Sequence, residues 1–195
     1  MSDIRIKTLD HQAIQESLDA LAVLRIQVFY DYPYLYKGDL DYEREYLSHY
    51  LNDTAVFVGA YDGDRLVGVA TASTANEHAV AFSRSLESAG YDPGQLLYCG
   101  ESVLLPEYRG RGIGHRFFDE RENHGRFLGL AYSCFSAVVR PDDHPLKPKD
   151  YQPLDSFWRK RGYQRLDNVI AHFSWQDIDQ PAETEKPMQF WLKPL

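Results

Sequence analysis

The sequence predicts an α/β (α+β) fold: one mixed sheet with flanking helices in a single domain. Three observations point there. Apolar runs of strand length alternate with segments of helical spacing. A two-residue Asp62-Gly63 turn joins two alternating apolar runs, a strong hairpin signal. The chain has 195 residues, 44% hydrophobic and 26% charged, which suits one ordinary globular core over residues 1–195.

Ile4 and Ile6 alternate with Arg5 and Lys7, so the chain opens on a short strand. From Ala13 to Phe29, Leu18, Leu21, Ala22, Leu24, Ile26, Val28 and Phe29 recur at helical spacing. Pro33, within Asp31 to Tyr36, breaks that helix. Asp41 to Leu51 reads as a second helix, polar on one side with Tyr42, Tyr46 and Tyr50 on the other. Ala55–Tyr61 and Arg65–Ala72 are the hairpin strands. An additional helix spans about 77–89 and ends at Gly90.

Leu96 to Leu105 is a strongly apolar strand closed by Pro106. Gly112 to Gly129 is helical, and Leu130 to Val139 is another buried strand. A loop rich in Pro and Asp, 141–153, leads to a helix from Leu154 to Arg161. Val169–Trp175 and Met188–Leu192 are the last strands.

Charge is uneven along this acidic chain, whose formal net is -8. The first hundred residues and the tail after 166 are acidic, whereas residues 101–166 carry more bases than acids. An anionic ligand is therefore sought in that middle block, and general nucleic-acid binding is disfavoured. Two cysteines, Cys99 and Cys134, make no disulfide framework, and no run approaches the ~20 apolar residues of a membrane span. A cytoplasmic protein without a membrane segment is the expectation. No His/Cys spacing suits zinc, so no metal is expected.

The most informative stretch runs from Glu101 through Leu104-Leu105-Pro106-Glu107-Tyr108-Arg109-Gly110-Arg111-Gly112-Ile113-Gly114 to His115. It is a buried strand, a sharp exit, then three glycines at alternate positions opening a helix. Glycine permits positive φ, so several N–H groups can converge on one anion beside the helix N-terminus. This describes a pyrophosphate cradle; the alternative is a flexible basic turn. The P-loop pattern G-x-x-x-x-G-K-[ST] is absent, and the glycine spacing is not G-x-G-x-x-G.

Arg109-x-x-Gly112-x-Gly114 after an apolar strand resembles the acyl-CoA-binding signature of the GNAT superfamily of N-acetyltransferases. Phe157-Trp158-x-x-x-Gly162-Tyr163 is similar to the end of that family's last helix. The resemblance covers nearly the whole chain. It implies a mostly antiparallel central sheet whose two central strands splay apart. It also implies acetyl-CoA as co-substrate, a primary amine on a small molecule or peptide as acceptor, and a monomer or homodimer. By the same resemblance, Val103, Leu104 and Leu105 bond the pantetheine arm through their backbone. Arg109, Gly110, Arg111, Gly112, Ile113 and Gly114 hold the pyrophosphate, with His115 beside them. A non-catalytic acyl-CoA-binding or regulatory domain on the same fold is the alternative.

Glu101 is a carboxylate in an otherwise apolar strand. Burial would raise its pKa toward neutrality, which suits a general base. The matching slot in many relatives carries the glutamate that deprotonates the substrate ammonium; the other reading is a glutamate paired with a nearby arginine. The family's usual acid, a tyrosine four residues before the helix-ending glycine, is replaced here by Trp158. Tyr151 is the substitute candidate, and Trp158 is expected to pack against the pantetheine arm. His144 either binds substrate or fixes its own loop. Tyr30, Tyr32, Tyr34, Tyr36, Tyr42, Tyr46 and Tyr50, with nearby acids, form either an aromatic wall attracting an ammonium or half-buried packing.

Overall fold

A computed structural model describes residues 3–49, 52–78 and 80–195. Tyr50, Leu51 and Ala79, which fall within helices expected from the sequence, lie outside the described residues. The elements run β1 (Ile4–Leu9), α1 (His11–Phe29), α2 (Leu40–His49), β2 (Val56–Asp62), β3 (Arg65–Thr74), α3 (Val80–Ser88), β4 (Leu96–Leu104), α4 (Ile113–Phe127), β5 (Tyr132–Val138), α5 (Asp155–Lys160), β6 (Gln164–Gln176) and β7 (Glu183–Pro194). The strands form one seven-stranded sheet in the order β1-β2-β3-β4-β5-β7-β6. Among the described residues, the β4–β5 pair alone is parallel.

Local chemistry sets the starts of the helices. Asp10 caps α1 by accepting from the Ala13 N–H at 2.8 Å, and Asp39 accepts from the Tyr42 N–H at 2.9 Å ahead of α2. The apolar stripe of α1 buries Leu21, Ala22 and Leu24 against Val58, Ala60 and Val69 of the sheet. Ile113, Phe117 and Phe118 of α4 join the same core. A second cluster lies under α3, where Phe82 and Leu86 pack with Tyr98, Met188 and Phe190.

The last two strands are longer than the sequence pattern indicates. β6 begins at Gln164, directly after α5, but its register with β7 shifts between Arg165 and Ile170. Asn168 sits there at φ 64°, so the irregularity breaks the alternation that marks a strand. β7 begins at Glu183, and its first three residues are exposed and mostly acidic, which hides them from a hydrophobicity reading. Among the described residues, no helix is long and apolar enough to cross a membrane.

Candidate active site

The parallel pair of β4 and β5 is short. Leu96, Leu97 and Tyr98 face Tyr132, Ser133 and Cys134, and beyond them the strands part. From there β5 stays with β7, while β4 stays with β3. A bulge aids the divergence: Ala70 pairs with Ser102 but Ala72 with Cys99, which sets Gly100 and Glu101 together opposite Thr71. The Leu105 N–H donates to Val67 at 3.0 Å, so by alternation Ser102 and Leu104 turn their peptide groups toward the gap. Leu105 has no N–H left to offer there, and Val103 is fully buried in the core. A cavity of about 1350 Å³ opens where the strands separate.

One end of this cavity is the glycine turn. A single 3-10 turn, Pro106–Tyr108, carries the chain out of β4, and the Tyr108 hydroxyl pins it by donating to Asp62 at 2.8 Å. Gly110 and Gly112 have φ of 75° and 78°, with open space where a Cβ would stand. Glycine is thus required by backbone conformation, not by crowding. Among the described residues, the first N–H after Arg109 to find a backbone acceptor is that of His115, on Gly112 at 3.1 Å. The N–H groups of Gly110, Arg111, Gly112, Ile113 and Gly114 remain for a ligand, at the positive end of α4. Side chains splint the turn. Arg109 donates to the Leu104 carbonyl at 3.3 Å, and Arg111 to that of Glu107 at 2.9 Å. Arg109, Gly110, Gly112, Ile113, Gly114 and His115 line the cavity; the Arg111 side chain lies over the Tyr108 ring, outside its wall. These residues fit an anionic pyrophosphate.

Glu101 stands at the inner wall, 6% exposed. Arg25 of α1 places Nη1 2.5 Å from its Oε1, and the Tyr46 hydroxyl donates to the same oxygen at 2.7 Å. Thr71 donates to Oε2 and accepts from the Glu101 N–H at 3.1 Å. Arg25 is shared, its Nε donating to Glu43 at 2.5 Å, and it lies over the Phe29 and Tyr46 rings. Arg121 of α4 bonds the Glu101 carbonyl at 3.0 Å, fixing the bulge. Burial alone raises the pKa of Glu101, but Arg25, Thr71 and Tyr46 outweigh it and hold the carboxyl below its ordinary range. The rise expected from the sequence is therefore corrected: the residue is a fixed carboxylate paired with an arginine.

The opposite end is built by two loops. Tyr32 meets Tyr151 edge-on at 4.7 Å and His144 at 5.8 Å. His144 Nδ1 also accepts from the Leu146 N–H at 3.2 Å, so it fixes its loop. Tyr151 is half-buried, and burial followed by Tyr32 raises its pKa. Tyr34 lines the same wall, its hydroxyl pushed to about 12 by burial and then by Glu101. Arg140 clamps this region. It donates to the carbonyls of Pro33 at 2.7 Å and Tyr34 at 2.6 Å, and grips Asp177 with two bonds of 2.7 and 3.0 Å. Lys186 Nζ adds a third contact to Asp177 at 3.2 Å.

The tyrosine wall is narrower than the sequence suggests. Of the seven tyrosines, Tyr30, Tyr32 and Tyr34 line the cavity, Tyr46 touches Glu101, and Tyr50 lies outside the described residues. Trp158 packs between Phe135 at 5.0 Å and Trp191 at 5.2 Å, with part of its surface in the cavity wall. Cys99 and Cys134 are buried thiols, and burial pushes Cys134 well up. No group of three metal-ligating side chains occurs among the described residues. Sequence reading missed Arg25 and Arg140. An arginine inside the apolar stripe of α1 was the available signal for the first; the second had none.

A family model described as the acetyltransferase (GNAT) family matches residues 21–148. None of the curated proteins matches in sequence. Among solved structures, an acetyltransferase from Salmonella typhimurium bound to its cofactor acetyl-CoA superposes with a TM-score of 0.63 at 10% identity, covering 100% of this chain and 95% of that one. The ribosomal-protein-alanine N-acetyltransferase of Brucella melitensis gives 0.63 at 13%, covering 98% and 99%. A Drosophila melanogaster polyamine N-acetyltransferase gives 0.61 at 16%, covering 99% and 100%. At such identities these likenesses speak for the fold alone. With the matched segment spanning the splayed strands and the glycine turn, the chain belongs to the GNAT acetyltransferase family.

Proposed function

We propose that this acyltransferase moves an acetyl group from acetyl-CoA to a primary amine by direct attack in a ternary complex, within one catalytic domain. One observation carries the reading: a single cavity has a row of free N–H groups at one end and an inward carboxylate, Glu101, in its wall. The turn from Arg109 to Gly114 takes the pyrophosphate, and the Leu104 peptide group takes the pantetheine arm. N–H groups of β4 facing the gap polarise the thioester carbonyl.

The amine enters as an ammonium and must lose a proton before it attacks. Glu101, held below its usual range, is too weak a base to strip an ammonium outright. It instead binds the ammonium and passes its proton through water to solvent, so the fraction of free amine sets the rate. The N–C bond then forms as the C–S bond breaks, and the second proton shed by the nitrogen passes through water to the sulfur. The thiolate leaves beside Tyr151, whose phenol offers a hydrogen bond.

Acetyl-CoA should protect the fold thermally with micromolar affinity, and a thiol-release screen over amines should show turnover. No melting shift at millimolar acetyl-CoA would remove the reading. A non-catalytic acyl-CoA-binding domain is the second reading, favoured by the packed Trp158 at the usual acid position. A melting shift with no thiol release from any amine would select it.

A further inference from the structure

Arg121 of α4 is a buried cation without a counter-ion. It is 1% exposed, its Nη2 is buried with no hydrogen-bond partner, and among the described residues it forms no ion pair. Its Nε donates to the Phe117 carbonyl of its own helix at 3.2 Å. Its Nη1 reaches the bulge, donating to the Thr71 carbonyl at 3.3 Å and to that of Glu101 at 3.0 Å. The guanidinium lies 4.6 Å from the Phe118 ring, on the face of α4 that enters the core. A neutral amide would serve two backbone acceptors as well, and an unpaired buried charge is costly. The positive charge itself therefore needs a reason.

The Glu101 carbonyl and the Ser102 N–H are the two ends of one peptide unit, joined by amide resonance. A cation on the oxygen draws electron density from the nitrogen, which makes the N–H a stronger donor. Ser102 turns its peptide group toward the gap where β4 and β5 part, and both Ser102 and Arg121 line the cavity. Acyl transfer puts negative charge in that gap. As the amine nitrogen bonds the thioester carbon, the carbonyl π pair moves onto oxygen, then returns to expel the thiolate. A donor aimed at that oxygen and strengthened by a fixed charge needs no rearrangement at the moment of reaction.

We propose that Arg121 is a positioning residue for acyl transfer: through the Glu101 carbonyl it fixes and polarises the peptide whose Ser102 N–H faces the thioester oxygen. This rests on the acetyl-transfer reading and adds a charged residue to the same site.

The test uses the full chain and compares Arg121→Lys, which keeps the charge, with Arg121→Gln, which keeps a donor and loses the charge. Acetyl-CoA isotopically labelled at its thioester carbonyl is the probe. Infrared difference spectra should place the carbonyl band of bound acetyl-CoA below that of the free molecule. Arg121→Gln should lose most of this displacement, whereas Arg121→Lys should keep most of it. Thiol release with spermidine or 2-phenylethylamine, whichever is faster, should fall about tenfold or more in kcat for Arg121→Gln and recover in Arg121→Lys. The acetyl-CoA Kd should stay within about threefold in both. A residue that merely bridges two carbonyls would leave the two variants alike, and that result overturns the proposal. So does a wild-type band unmoved by binding, which depends on no variant folding. Thiol release by wild type alongside either result leaves acetyl transfer intact. Absence of any melting shift from acetyl-CoA sinks the underlying reading and this proposal with it.

Discussion

Arg25 Nη1 lies 2.5 Å from Glu101 Oε1, in a place where both side chains are more than nine-tenths hidden from solvent. The same guanidinium also holds Glu43, so one cation serves two buried carboxylates. Removing it strands both. Arg25→Met should therefore destabilise the fold by about 3–5 kcal/mol, the usual cost of breaking a buried pair. Urea unfolding of the variant checks this, and a loss below ~1 kcal/mol would contradict it.

Glu101→Gln keeps the size of the side chain and removes its charge. Its expected effect is a drop in kcat of about 10²–10⁴-fold, with the acetyl-CoA KM within about threefold of wild type. Steady-state kinetics with one good amine decides. A parallel rise in the acetyl-CoA KM would instead mean that the cofactor channel had collapsed.

Tyr151→Phe should lower kcat by less than tenfold. Its phenol is pushed above the ordinary tyrosine range by burial and by Tyr32, which makes it a weak proton donor to a thiolate. A loss of 10²-fold or more, together with disappearance of an alkaline limb from the pH profile, would make it the acid after all.

Acid should weaken the fold in a definite window. Burial lowers His78 from 6.5 to about 4, against the opposing pull of Glu101. Below pH 6.5 the unfolded chain takes up the proton first, so stability falls progressively as pH drops from 6.5 to about 4. Glu101 adds to the loss further down, once pH passes below its ordinary value of 4.5 toward its lowered one. Melting curves across this range should show the decline, and His78→Gln should flatten its upper part. A wild-type melting temperature that stayed level from pH 7 to 5 would count against the assignment.

Gly112→Ala forces a Cβ into the left-handed region, at roughly 1–2 kcal/mol. Since nothing crowds the position, the fold should survive while the turn relaxes. Acetyl-CoA affinity by titration calorimetry should fall about tenfold or more. An unchanged Kd would place the pyrophosphate elsewhere.

The glycine turn was legible because its residues are consecutive in sequence. Arg109 to Gly114 form the turn by themselves, and positive φ demands glycine at Gly110 and Gly112 whatever surrounds them. The opposite end of the cavity was not, because its parts come from distant segments. Tyr32 meets Tyr151 only after β5 and α1 are assembled, and no local pattern announces that contact. Charge counting along the chain left one question open. The acids of the first hundred residues read either as part of a wall attracting an ammonium or as a solvated face; Glu43 is buried against Arg25, Asp41 is paired with Arg44, and Asp31 lines the cavity. Much of the acid facing the cavity, Asp142, Asp150 and Asp155, comes from the basic middle block. The direction of the Glu101 pKa shift was not legible for a related reason: burial was readable from its apolar neighbours, but the cation that reverses the shift sits on α1, far away in sequence.

The Tyr32–Tyr36 segment does not hang free over the cavity. Ile178 N–H donates to Leu35 at 2.7 Å, Lys37 N–H donates to Gln176 at 2.9 Å, and Tyr36 forms a β-bridge with Asp177. The end of β6 thus serves as the seat for a loop that follows the first helix. Under the proposed reading, acceptor selectivity is then set jointly by segments from the two ends of the chain. A transplant of residues 30–37 into a relative would carry its tyrosines but lose their seat. Moving acceptor preference between such proteins should require exchanging Arg140, Asp177 and Lys186 along with the loop, as one inherited unit.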